Sequence, residues 1–195
     1  KLLLYIFILP NLAVAYFGEI TGTSQSWSLG TEEQFYLFWP LIIFFFRKRI
    51  IWSMVILLVF YWVVKLGLGK AGSLDSRFNV LSSFWSLFNI NCMAIGGIFA
   101  ALHFDKHIKL LKVLYHKLVF FAAIIWLIIS LSLGINYGFF HDEIYSLLFG
   151  TIILNLACNP IYSETLEYKP LNYLGSISYG VYMYHPAILP LAIIA

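Results

Sequence analysis

The stretch SWSLGTEEQFYLFWP, residues 26–40, begins polar and acid-bearing and runs straight into the apolar LIIFFF of residues 41–46. Glu32 and Glu33 stand within a few residues of Phe35, Tyr36, Phe38, Trp39, Leu41, Ile42 and Ile43. A lipid-facing helix avoids charge at such a place, so the acids need a reason. The stretch reads as a membrane helix whose outer end is chemically busy.

Composition supports the membrane. Of 195 residues, 62% are hydrophobic and only 11% charged, with a mean hydropathy of +0.88. That leaves too few polar groups to clothe a soluble globule. A formal charge of +3 and a pI near 8.8 do not indicate nucleic acid, because the basic residues fall between apolar runs and not in one stripe. Cys92 and Cys158 lie inside apolar segments and read as small buried side chains, with no disulfide framework and no metal site. Opening at Lys1 directly into an apolar run, the sequence reads as a single membrane domain, residues 1–195, truncated at both ends.

Apolar segments run over residues 2–17, 35–46, 50–66, 84–102, 118–133, 144–158 and 177–194. The fold class expected is all-α, a polytopic transmembrane helical bundle with six or seven membrane segments. The lower number applies if residues 2–17, interrupted by Pro10-Asn11, are re-entrant or interfacial. Arg47, Lys48 and Arg49 divide what would otherwise be a helix of ~48 Å against a hydrocarbon core of ~30 Å. A tight hairpin with the triplet at its tip is expected. Lys109, Lys112, Lys117 and Lys169 then share its side together with Lys106, which the positive-inside rule makes cytoplasmic. Gly18 to Ser28 and Leu68 to Ser82 face out, with Glu19, Glu32, Glu33, Asp75, Asp142 and Glu143. His103 to Lys117 fits an amphipathic helix on the inner surface. Its histidines read as solvated, and Asp142-Glu143 as an outer cap of the sixth segment.

Two constellations carry chemistry. Thr31-Glu32-Glu33-Gln34 fits a capping box, with Thr31 as N-cap and Gln34 three residues on. Alternatively, a helix of about 22 Å starting at Glu32 would leave its acidic end recessed in a vestibule. Glu32, Tyr36, Trp39 and Ile43 share a face there, a carboxylate over an aromatic floor suited to a sugar hydroxyl. Both readings stand at this point. The second constellation is LGSISYGVYMYHP, residues 174–186. Ser178, Tyr182 and His185 share a face, and Pro186 frees the Tyr182 carbonyl. A histidine inside an apolar span is paired, faces water, or does both. In FNINCMAIGGIFA, Asn89 and Asn91 call for partners in the bundle interior and Gly96-Gly97 for close helix packing.

At these motifs the sequence resembles the integral-membrane acyltransferase family 3. Trp27-Ser28-Leu29, Glu32, Gln34, Phe35 and Tyr36 match one family signature; Ile177-Ser178-Tyr179, Tyr182 and His185 match a later one. AIGGIFA, residues 94–100, is similar to the family's middle helix, with Asn89 where many members have a basic residue. The resemblance implies an O-acyltransferase moving an acyl group, an acetyl, from cytoplasmic acyl-CoA (acetyl-CoA) to a cell-surface carbohydrate or similar acceptor. The group transferred is not an amino-acyl group. Glu32 and His185 are expected in supporting catalytic roles, with Trp27, Ser28, Tyr36, Ser178, Tyr179 and Tyr182 binding substrate. No bound cofactor, metal or nucleic acid is expected; the partners are the lipid bilayer and the carbohydrate. The expected location is the bacterial cytoplasmic membrane, crossed several times. The family's catalytic histidine lies on its first helix, which this sequence does not include, so the stretch alone is expected to be inactive. From the residues without the resemblance, a transporter or flippase with Glu32 and His185 lining the path is the rival reading.

Overall fold

The computed structural model describes residues 2–18, 26–105, 107–163 and 167–194, and every regular element among them is helical. In chain order these are α1 (Leu2–Ile6), α2 (Pro10–Phe17), α3 (Ser26–Phe46), α4 (Ile50–Leu74), α5 (Arg77–Leu87), α6 (Ile90–Phe104), α7 (Ile108–Leu114), α8 (Lys117–Ser132), α9 (His141–Cys158) and α10 (Lys169–Ile194). Short 3-10 turns cover Arg47–Arg49 and Gly138–Phe140. Glu19, Lys106 and most of the expected outer loop from Gly18 to Ser28 lie outside the described residues.

The span count departs from the expected six or seven. Among the described residues, two helical runs are long and apolar enough to cross a membrane, Ser26–Leu74 and Arg77–Phe104; a third is added if Ile108–Leu114 and Lys117–Ser132, bent by 52°, form one span. Local chemistry explains the difference. Helix continues through the basic triplet as a 3-10 turn, so two expected segments belong to one 49-residue run. The first segment breaks at residues 7–9 into helices of five and eight residues. In α9, the opening His141, Asp142 and Glu143 and the later Asn155 dilute an 18-residue apolar helix.

Contacts divide the chain into two compact units: residues 1–45, 59–90 and 172–195, and residues 46–58 and 91–171. In the first, α1 ends in a double hydrogen-bonded turn, Leu9 N to Leu4 O and Ile8 N to Tyr5 O. This motif places one residue in the left-handed region, usually glycine; here it is Ile8, with φ 60. Pro10 then starts α2, where a missing N–H costs nothing. Its ring occupies the space a Cβ on Gly30 would need, which is why α3 carries glycine there. On α4, buried Tyr61 stacks on Trp85 of α5 at 5.6 Å, and the indole N–H donates to the Tyr61 carbonyl at 3.1 Å. Between these helices, Asp75 accepts from the backbone and the guanidinium of Arg77. That donor holds its carboxyl below the usual range.

In the second unit α8 packs on α9, Gly150 of α9 receives the Phe99 ring of α6, and Phe120 stacks on Tyr162 at 4.6 Å. Buried Asn155 of α9 and Asn159, the residue that closes its end, reach back to the end of α7. The Asn155 amide donates to Leu114 O at 2.9 Å and that of Asn159 to Tyr115 O at 3.2 Å. The histidines nearby are not simply solvated. His103 Nδ1 bonds Tyr115 Oη at 3.0 Å, and His116 caps α8 by accepting from Leu118 N. Close packing holds for buried Gly97 but not for Gly96, which has open space beside it.

Candidate active site

Helix α3 starts at Ser26, so Thr31 lies inside it and cannot be its N-cap. The capping-box reading is thereby overturned. The Thr31 hydroxyl lies 3.1 Å from the Trp27 carbonyl and 3.0 Å from that of Leu87. The first bonds back one turn; the second ties α3 to the end of α5. Gln34 does not reach back to a cap. Its amide donates to Ile8 O at 2.7 Å and to Asn11 Oδ1 at 3.0 Å, and its carbonyl accepts from Asn11 Nδ2 at 3.0 Å. Asn11 is fully buried and Gln34 8% exposed, so the two side-chain amides satisfy each other within an apolar setting. That arrangement is the way such groups are accommodated away from water.

Gly30, Thr31 and Gln34 thus form the buried side of α3. At 100° per residue, Glu32 points about 150° away from the middle of that side. Both Glu32 and Glu33 are exposed; Tyr36 is exposed too, and Trp27 and Ser28 are half-buried. The aromatic floor is rearranged from expectation: Trp39 packs on Phe35 at 4.5 Å, and Phe35 meets Tyr36 edge-on at 6.3 Å. Ser28, Glu32 and Tyr36 follow one another at i, i+4 and i+8 along the same side of the helix.

The second motif meets the first at one point. Ser28 Oγ and Tyr182 Oη are hydrogen-bonded across 154 residues of sequence. Tyr182 also anchors His185: its carbonyl lies 2.7 Å from His185 Nδ1, and the two rings are 5.8 Å apart. A carbonyl can only accept, so Nδ1 carries a hydrogen, and Nε2 is the ring nitrogen left outside this bond. Pro186 is the cause, since it has no N–H to offer the Tyr182 carbonyl. Ser178 does not join this contact; its hydroxyl donates to Gly175 O at 2.8 Å. Tyr179, one turn before Tyr182 on the same helix, is 61% exposed.

Among the expected residues, then, Ser28, Tyr182 and His185 are brought together, with Glu32 and Tyr36 following Ser28 along α3. Sequence reading did not single out Asn11, Thr31 and Gln34 as the polar anchors of α3. The available signal was Asn11 beside a proline in an apolar run. Glu143 lies in the first turn of α9, where an outer cap is expected, but it is buried there, 4% exposed, and accepts from Asn91 Nδ2 at 2.8 Å. That bond fulfils the expectation that Asn91 finds an interior partner.

No curated protein and no solved structure shows a significant match to the chain. A family model described as an acyltransferase domain matches residues 2–193, and the chain, all-helical and with membrane-length apolar helices, belongs to that family, acyltransferase family 3.

Proposed function

We propose that this domain transfers an acetyl group from acetyl-CoA on the cytoplasmic side of a bacterial inner membrane to a hydroxyl of a surface carbohydrate. The observation that carries the reading is the Ser28–Tyr182 hydrogen bond, which joins the two polar motifs at one place. Around it, Ser28, Glu32 and Tyr36 on α3 offer acceptors and donors to sugar hydroxyls, and Trp27, Trp39 and Tyr179 offer aromatic faces. In the transfer the acceptor oxygen attacks the thioester carbonyl, a C–O bond forms as the C–S bond breaks, and the proton passes through a base to the departing thiolate. The resemblance assigns that base to a histidine on another helix of the family. His185 is therefore given a positioning part: Nδ1–H is held by Tyr182 O, leaving Nε2 to accept from the acceptor hydroxyl. In this reading the domain crosses the membrane several times, with Arg47 to Arg49, Lys109, Lys112, Lys117 and Lys169 in the cytoplasm. The transport alternative is set aside, because the family's members are acyltransferases.

Glu32 and Glu33 provide the test, since both are exposed first-half residues of one helix but only Glu32 continues the Ser28 side. In the full-length protein, Glu32→Gln lowers acetyl transfer from labelled acetyl-CoA to surface polysaccharide by about 100-fold, the scale of a mispositioned substrate. Glu33→Gln stays near wild type, and both reach the membrane in equal amounts. Equal losses, or transfer unaffected by either change, would refute the assignment.

A further inference from the structure

The twelve residues from His107 to Leu118 hold three lysines and no acid, and their helix is held in a built corner. Buried Asn155 and Asn159 fix the last carbonyls of α7, Tyr115 is tied to His103, His116 caps α8, and α7 meets α8 at 52°. Leu111 is the side of α7 turned inward. On the opposite side Lys109 and Lys112 are exposed and about 60° apart by helical geometry. Ile108 flanks them at 62% exposure and Val113 at 56%. An open cleft of about 390 Å³, lined by His107, Ile108, Lys109 and Leu110, adjoins Lys109. Past the corner, Lys117 and Leu118 are exposed in the same alternation.

A face that mixes cations with large exposed aliphatics suits neither water nor hydrocarbon alone. It matches the boundary between them, where aliphatic side chains enter the acyl region and lysines extend to phosphate. We infer that α7 and the first turn of α8 form a fixed ledge that binds acidic phospholipid headgroups. Charge complementarity selects acidic over zwitterionic lipid, since the segment holds three lysines and the nearest acid before it in sequence is the single Asp105. A soluble phosphate compound would use the lysines but leave Ile108 and Val113 exposed. The inference rests on the chain lying in a bilayer and does not depend on the chemistry of acyl transfer.

Photo-crosslinking of the full chain in nanodiscs tests it, using diazirine-tagged phosphatidylglycerol and phosphatidylcholine in parallel, with labelled peptides mapped by mass spectrometry. The phosphatidylglycerol probe labels the α7 peptide about three-fold more than the phosphatidylcholine probe, and the preference weakens at high salt. Lys109→Gln with Lys112→Gln brings the two probes to parity at α7, whereas Lys70→Gln does not. Equal labelling of the native chain by both probes would reduce the ledge to ordinary lipid contact and overturn the inference. So would a preference erased by millimolar coenzyme A, which would assign the lysines to a soluble phosphate, or α7 left unlabelled while α8 is labelled. Acetyl transfer measured on the same nanodiscs keeps this result separate from the enzymatic reading, as either can fail alone.

Discussion

Helices α3 and α10 each carry one of the two motifs, yet they are held in different ways. Helix α3 is anchored on its buried side by Gly30 against Pro10, Thr31 against Leu87, and Gln34 against Asn11 and Ile8. From residue 171 to 179 the residues of α10 are all exposed, and Ser176, Ser178 and His185 bond its own backbone. Among the described residues, the hydroxyl of Tyr182 on α10 bonds Ser28 of α3. The first motif is thus held by buried packing and buried hydrogen bonds, and a hydroxyl contact links the second to it.

Removing the anchor of α3 gives the largest effect. Gln34→Leu orphans the buried Nδ2 of Asn11, whose Oδ1 keeps only the Leu12 N–H, a loss of about 1–3 kcal/mol. It lowers the melting temperature of the purified full chain, followed by tryptophan fluorescence. Adding Asn11→Leu recovers part of the loss, because two apolar groups replace two paired ones. A double variant as unstable as the sum of the singles would show that the amide pair is not a unit.

Breaking the tie of α10 costs less. Tyr182→Phe and Ser28→Ala each destabilise by about 0.6 kcal/mol, the usual worth of a hydrogen bond between membrane helices, and the double variant loses no more than one of them. Strict additivity in that cycle would mean the two hydroxyls do not meet in the membrane.

The smallest change sharpens the contrast from the other side. Ile8 holds a left-handed conformation that disfavours side chains by roughly 1–2 kcal/mol, while its carbonyl is held by Gln34. Ile8→Gly relieves that strain, and the greater freedom of glycine in the unfolded chain offsets part of the gain. A net stabilisation below about 1 kcal/mol is expected in the same melting experiment. A loss of 2 kcal/mol or more would show the Ile8 side chain to matter more than its backbone.

The sequence disclosed the features that depend on composition and on near neighbours. Continuous apolar runs of this length cross a membrane as helices, because each segment then satisfies its own backbone where no water is present. The bond from His185 to the Tyr182 carbonyl was legible because Pro186, the next residue, creates the vacancy. The family was legible because its motifs are short and locally spaced. Other features came only from tertiary structure. Helices that are apolar all round carry little sign of which face meets protein and which meets lipid. Nothing local distinguished exposed Glu32 from buried Gln34 two residues later, or revealed that Glu143 would turn inward to Asn91. The partners of Thr31 and Gln34, Leu87 and Ile8, likewise lie 56 and 26 positions away in the chain. Polar groups in an apolar medium are placed by whichever partner the folded chain brings to them, and that partner is not a sequence neighbour.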